Sequence, residues 1–211
     1  MDWILIIAGA LLGYLLGSVP VGVLATAVYG VDIRQVGSGR TGATNAWRAA
    51  GLKAAIPTLL GDALKGVAAV LLIRYGATAF LPGAGEIAVA AAASLAGAGA
   101  VVGHNWSLFL GFKGGAGGIT TAATIVAISP LIGAVVCLVG LLLIWWSRMA
   151  SIGTYSVSVS ALVGALVFAF TGQTPWPYVI FGVIAYLAVT FSLRRNRQAI
   201  KDGEERVITL W

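Results

Sequence analysis

Long apolar runs alternate with short polar, glycine-rich stretches along this chain. Trp3 to Tyr29 is the first run, followed by residues 53–75, 86–102, 119–146, 157–171 and 177–193. Each is predicted to be helical. Only a helix satisfies its own backbone groups in hydrocarbon, and roughly 20 apolar residues cross about 30 Å of it. Ser18, Pro20 and Gly22 interrupt the first run, so this break is expected to lie against protein, where freed carbonyls find donors. Ser129-Pro130 interrupts residues 119–146 and permits either one kinked helix or two spans.

The distribution of charge chooses between those two. Eleven of the thirteen Lys and Arg residues lie in four places. These are the first loop (Arg34, Arg40, Arg48, Lys53), the second loop (Lys113), the corner at Arg148, and the tail (Arg194, Arg195, Arg197, Lys201, Arg206). Two spans across 119–146 put all four on one side, which the positive-inside rule makes the cytoplasm. The expected fold is therefore an all-α, single-domain (1–211) bundle of seven transmembrane helices with the N-terminus outside. Residues 119–128 are short for a crossing and are expected to tilt or to begin inside the preceding loop. The start, Met1-Asp2-Trp3, lacks the basic region of a cleaved signal, and Trp3 reads as an interfacial anchor.

Composition agrees and removes several function classes. Of 211 residues, 59% are hydrophobic and 9% charged, and the mean hydropathy is +0.97, which calls for lipid as solvent. A single Cys137 within an apolar run and a single His104 leave no disulfide and no cysteine or histidine metal cluster, so no metal or cofactor is expected. The net charge of +6 suits a face lying on anionic membrane lipid. Nucleic acid is not expected as a partner, because the basic residues adjoin spans and form no separate domain. Nothing in the sequence sets an oligomeric state.

The polar stretches carry the chemistry. Gly37-Ser38-Gly39-Arg40-Thr41-Gly42 feeds a predicted helix on which Thr41, Thr44, Asn45 and Arg48 share a face. A glycine turn at a helix N-terminus presents free N–H groups and the positive dipole end, so this reads as a phosphate cradle, with Arg40 and Arg48 adding full charges. Gly37, Gly39 and Gly42 also fit G-x-G-x-x-G. That dinucleotide fingerprint follows a strand, however, and here a membrane-length run precedes it. In the second loop Lys113 stands beside Gly114 and Gly115, where backbone can wrap an oxyanion that the ammonium neutralises. Lys113 precedes the glycines and no Lys-Ser/Thr pair closes them, so this is not a Walker loop. Arg148 and Ser151 are expected on one helical face of the third loop. Asp62 and Lys65, three apart within a span, are expected to pair toward the bundle interior, either to order the bundle or to act from beneath the site. His104 reads as a hydrogen-bonded interfacial residue and Glu204-Glu205 as solvated.

Taken in order, several segments resemble the bacterial acyl-phosphate:glycerol-3-phosphate acyltransferases of the PlsY type. They are Gly17-Ser18-Val19-Pro20, Gly37-Ser38-Gly39 through Asn45 and Arg48, Asp62-Ala63-Leu64-Lys65-Gly66, Gly103-His104, Phe112-Lys113-Gly114-Gly115, Arg148-Met149-Ala150-Ser151, Arg194-Arg195-Asn196 and Gly203-Glu204-Glu205. The resemblance implies seven spans, a cytoplasmic active site, and transfer of a fatty acyl group from acyl phosphate to the 1-hydroxyl of glycerol 3-phosphate. It further implies that Ser38, Arg48, Lys113 and Ser151 carry catalysis. Gly39, Arg40, Gly42, Thr44, Asn45, Gly114, Gly115, Arg148 and Asn196 would bind substrate phosphate. Acyl phosphate is already activated, so no nucleophilic serine is required. The His-x4-Asp motif of soluble-type glycerophosphate acyltransferases is absent, since Phe109 stands five residues after His104.

Three positions depart from the family pattern. Arg40 replaces the Asn of Ser-Gly-Asn-x-Gly, Ala116 replaces the second Lys of Lys-Gly-Gly-Lys-Gly, and Leu193 stands where the tail usually has His. These departures raise a second reading, a divergent paralogue that binds or transports an anionic lipid or phosphate compound without turnover. No internal repeat of the kind common in transporters is evident.

Overall fold

The structure, a computed structural model, describes residues 2–209. Among them there is no strand. The helices are α1 (Asp2–Ser18), α2 (Val21–Ala27), α3 (Ala43–Ala50), α4 (Leu52–Phe80), α5 (Glu86–Asn105), α6 (Gly118–Ile128), α7 (Pro130–Ser147), α8 (Ala150–Phe170), α9 (Pro177–Ser192) and α10 (Arg194–Lys201). Five stretches are long and apolar enough to cross a membrane: α1 with α2, α4, α5, α7 and α8. A sixth is formed if α9 and α10, bent by 55°, count as one. The 11 residues of α6 fall short, since they rise only about 16 Å.

Glycines set the helix contacts. Gly9, Gly13 and Gly17 of α1 lie against the carbonyl oxygens of Ala92, Ala96 and Ala100 of α5, where any Cβ would overlap backbone. The constant offset makes the two helices parallel, and Gly99 and Gly103 of α5 receive α1 in the same way. This is the small-residue packing on which membrane helices rely when lipid and side chain are equally apolar. The parallel set extends to α9, because Gly97 faces Phe181 and the Trp106 ring lies 5.7 Å from Phe191. Gly66 of α4 packs on Thr120 and Thr124 of α6, and Arg74 reaches Ala127, so these two are parallel to each other. By contrast, Gly133 against Val126, and Gly140 against Val157, make α7 antiparallel to both α6 and α8. The direction thus alternates along the chain, and the segments after α2, α5, α7 and α9 gather at one end.

Ser129-Pro130 separates two helices: α6 ends, Pro130 begins α7, and the chain folds back. The break at Ser18 and Pro20 finds its donors as expected. Ser107 Oγ donates to the Ser18 carbonyl at 2.5 Å and Lys65 Nζ to the Val19 carbonyl at 3.4 Å. Helix α5, lined with Ala92, Ala93, Ala96 and Ala100, is the most enclosed. It runs on to Asn105, so His104, expected at the membrane interface, lies in the last turn of a helix and is buried.

Candidate active site

The first loop is built around one amide. Asn45 is buried, its Nδ2 donates to the carbonyls of Arg40 (2.8 Å), Ile33 and Val36 (both 3.0 Å), and its Oδ1 accepts the Ser38 N–H at 3.1 Å. Gly37, at φ +55°, passes so close to Asn45 that a Cβ would meet the amide oxygen. The loop is therefore wrapped on Asn45, which has no donor left for phosphate. It delivers Gly42 to the N-cap of α3, and nothing caps that helix with a side chain.

The second loop returns over His104. The Gly115 N–H donates to the His104 carbonyl at 2.9 Å, and a Cβ on Gly115 would overlap the imidazole. Gly117, at φ +86°, begins α6, again with no side-chain cap. The third approach is the α7–α8 corner. Arg148 ends α7 in the left-handed conformation, and α8 starts at Ala150 with no side-chain cap. Arg148 and Ser151 therefore do not share a helical face, as the spacing had suggested, because the helix breaks between them.

Three helix N-termini thus converge on one cavity of about 410 Å³, lined by Gly42, Ala43 and Thr44, by Gly117, Gly118 and Ile119, and by Ala150 and Ser151. Each first turn leaves N–H groups without intrahelical partners, and three positive dipole ends meet there. Arg40 and Arg48 add full charges. Burial draws the Arg40 guanidinium below its ordinary range while Glu205 opposes the shift, and burial then Arg206 do the same to Arg48. Both remain cations, since arginine does not lose its proton in proteins. The opposite wall is apolar: Leu52, Ala55 and Leu59 of α4 face Leu141 and Ile144 of α7. Leu52, Leu59 and Leu141 continue onto the exposed outer surface of the bundle.

The tail closes the site. Arg40 donates to Ser192 Oγ at 2.9 Å, the Ser192 carbonyl at 2.6 Å and Asn196 Oδ1 at 2.8 Å. Ser192 Oγ in turn donates to the Gly115 carbonyl at 3.1 Å. Glu205 accepts from Ser151 Oγ at 2.6 Å and from Asn196 Nδ2 at 2.9 and 3.1 Å. The Ile208 N–H reaches the Arg148 carbonyl at 2.7 Å.

The chain matches the family described as glycerol-3-phosphate acyltransferase over residues 7–203. It belongs to that family. A glycerol-3-phosphate acyltransferase of Rubrobacter xylanophilus is 45% identical over 201 residues, covering 93% of this chain and 92% of the relative. One from Moorella thermoacetica is 39% identical, covering 96% of each. The crystal structure of PlsY (YgiH), an integral membrane glycerol 3-phosphate acyltransferase, in its glycerol 3-phosphate form superimposes with a TM-score of 0.81 at 29% identity over 96% of this chain and 94% of that one. The family and the apolar helices make the chain a multi-pass membrane acyltransferase.

Of the residues singled out from sequence, Ser38, Arg40, Gly42, Thr44, Asn45, Arg48, Ser151 and Asn196 line the acyltransferase cavity. Gly39, which is exposed, and Gly114 and Gly115 in the second-loop backbone do not line it, and Lys113 and Arg148 turn to the exposed surface. The sequence reading missed Gly117 and Gly118: it placed the start of this helix at residue 119, within one residue of the observed start, but did not count the turn just before it among the anion-binding backbone. It also took Glu205 as solvated. Glu204 is exposed, but Glu205 is half-buried and receives three hydrogen bonds. The spacing within the tail gave no signal of that.

Asp62 and Lys65 pair as expected, with 2.8 Å between Oδ1 and Nζ. The same Asp62 oxygen lies 3.3 Å from His104 Nδ1, and both Asp62 and His104 form the cavity floor. No group of three or more metal-ligating side chains occurs among the described residues.

Proposed function

We propose that this acyltransferase moves a fatty acyl group from acyl phosphate to the 1-hydroxyl of glycerol 3-phosphate, giving lysophosphatidate and inorganic phosphate. It works as one domain that crosses the membrane seven times, N-terminus outside, with the pocket at the cytoplasmic face. The alternating helix directions support the span count. They bring the four basic segments to one end, which the positive-inside rule assigns to the cytoplasm. PlsY, the structural relative, has been solved in glycerol 3-phosphate and lysophosphatidic acid forms, which supports this acceptor and product.

The observation that carries the reading is the convergence of three uncapped helix N-termini and two arginines beside an apolar wall. Acyl phosphate needs both halves, an anion site for its phosphate and a lipid-continuous surface for its chain. The acceptor hydroxyl oxygen attacks the acyl carbonyl carbon. The bond from that carbon to the phosphate oxygen breaks, its electron pair leaves with phosphate, and the hydroxyl proton passes to a substrate phosphate oxygen. Positioning two anions together and stabilising the developing charge supply the rate. Ser38 and Arg48 act from the first loop and Ser151 from the start of α8. Lys113 swings inward from the exposed rim to neutralise phosphate. Arg40, Asn196, Gly42 and Thr44 hold phosphate directly, while Gly39, Asn45, Gly114, Gly115 and Arg148 shape the backbone around it.

The test is phosphate release from acyl phosphate and glycerol 3-phosphate by purified protein. Turnover is expected, and Arg48→Ala and Lys113→Ala should each lower it by about 100-fold or more, the scale of losing one charge-stabilising group. Binding of both ligands with no phosphate release would favour the binding or transport reading.

A further inference from the structure

Three ionisable groups lie buried under the cavity, and the acyl transfer outlined above uses none of them. Asp62 Oδ1 is shared by Lys65 Nζ at 2.8 Å and His104 Nδ1 at 3.3 Å, and all three side chains are nine-tenths or more buried. Each member also grips a different piece of the molecule. Lys65 Nζ donates to the Val19 carbonyl at the break between α1 and α2. The Asp62 carbonyl accepts Thr120 Oγ1, in the first turn of α6, at 3.1 Å. The His104 carbonyl accepts the Gly115 N–H, and its imidazole fills the space where a Gly115 side chain would stand.

The geometry of the imidazole is asymmetric. Nδ1 faces the Asp62 carboxylate, while Nε2 and its neighbouring ring carbons face Gly115. The Asp62 carboxylate, at 3.3 Å and without a well-aligned hydrogen bond, attracts the Nδ1 edge of the ring and so biases the ring plane. The ring plane then sets the height of Gly115, and Gly115 leads within two residues to Gly117, the N-cap of α6. An error of about 1 Å in a substrate-positioning element is enough to cost about 100-fold.

We propose that His104, oriented by the Asp62–Lys65 pair, is the positioning residue that sets the second loop and the α6 N-terminus against the substrate phosphate. This rests on the acyl-transfer reading for the substrate, but not for the geometry. The imidazole supports the backbone that binds the anion and takes no proton in the reaction.

The two ends of the ring separate this role from a chemical one. His104→Asn keeps an amide at the Nδ1 position, facing Asp62; His104→Gln keeps one at the Nε2 position. The expected result is a KM for glycerol 3-phosphate close to wild type for His104→Asn. For His104→Gln and Asp62→Asn it should rise by about 10–100-fold with kcat little changed, the mark of lost ground-state binding. A low kcat in His104→Asn with normal turnover in His104→Gln would overturn the proposal, because it would make Nε2 the working atom. Wild-type kinetics in all three would overturn it as well.

Should those variants fail to elute as folded protein, a double-mutant cycle decides. Gly115→Ala should be impaired, and His104→Ala/Gly115→Ala should recover part of the loss, since the added methyl would take the place of the ring. No recovery would overturn the proposal. Should the wild-type protein release no phosphate, the acyl-transfer reading fails by itself. The same variants are then ranked by calorimetric affinity for glycerol 3-phosphate, with the same order expected and an unchanged affinity overturning the proposal.

Discussion

Arg40 and Asn196 stand 156 positions apart and meet in a hydrogen bond of 2.8 Å, the guanidinium donating to the amide oxygen. The same guanidinium also holds the backbone and side chain of Ser192, so one residue of the first loop pins the elbow between α9 and α10. Leu193, buried at that elbow, has no polar group to do this itself. A planar fork with several donors suits the task, and a lysine would offer a single point of attachment. Arg40→Lys is therefore expected to raise the KM for glycerol 3-phosphate about tenfold, and Arg40→Ala further, through loss of charge-assisted bonds of about 1.5–3 kcal/mol each. Steady-state kinetics with varied acceptor checks this. Equal KM values for Arg40→Lys and wild type would show that the fork is dispensable.

Asn45 should behave as a folding residue of the loop and not as a ligand. Asn45→Ala leaves three loop carbonyls and the Ser38 N–H without their partner. Each buried group so abandoned costs about 1–3 kcal/mol. Limited proteolysis should cut residues 28–42 faster in this variant while the helical bundle stays intact. Gly37→Ala should show the same pattern more weakly, since its Cβ would press on the same amide.

Arg74 explains how α6 can end so early. It donates to the Ala127 carbonyl at 3.0 Å, one residue before the end of that helix, and also bonds the Tyr178 hydroxyl. Carbonyls in the last turn of a helix lack intrahelical donors, and hydrocarbon cannot supply them. Arg74→Leu should lower stability by about 1.5–3 kcal/mol, read as a lower melting temperature in detergent. Because Arg74 lies far along α4 from Asp62 and the cavity, KM should not move.

Helix α1 depends on contact at the glycine positions. Gly13→Leu drives a side chain into the Ala96 backbone and should cost about 3 kcal/mol or more, so that little folded protein survives extraction. Gly76→Leu is the matched control, because nothing lies within 4 Å of a Cβ there. Similar yields of the two variants would contradict the parallel packing of α1 on α5.

The apolar runs foretold the helices, because lipid tolerates few alternatives and a run of about 20 residues leaves no other fold. Charge placement foretold the split at Ser129-Pro130 and the gathering of four basic segments, since Lys and Arg read out sidedness along a chain. The Asp62–Lys65 pair followed from helical spacing alone. Glu205 and Arg148 were misjudged, and the part Asn45 plays in its loop was not legible, for one shared reason: each is defined by backbone or tail atoms far away in sequence or across a helix break. Asn45 looks like a ligand until the carbonyls around it are counted. Arg148 looks like a neighbour of Ser151 until the left-handed turn between them is seen. Lys113 has the right chemistry, but its exposed position depends on a loop path that hydropathy does not encode.

The wall contributed by Glu205, Arg206 and Ile208 has a consequence for biosynthesis. Every membrane helix is already made when residue 192 is polymerised, yet the cavity still lacks the carboxylate that ties Ser151 to Asn196 and the strap that joins Ile208 to Arg148. The closing wall of the cavity is therefore assembled only after the bundle that it closes.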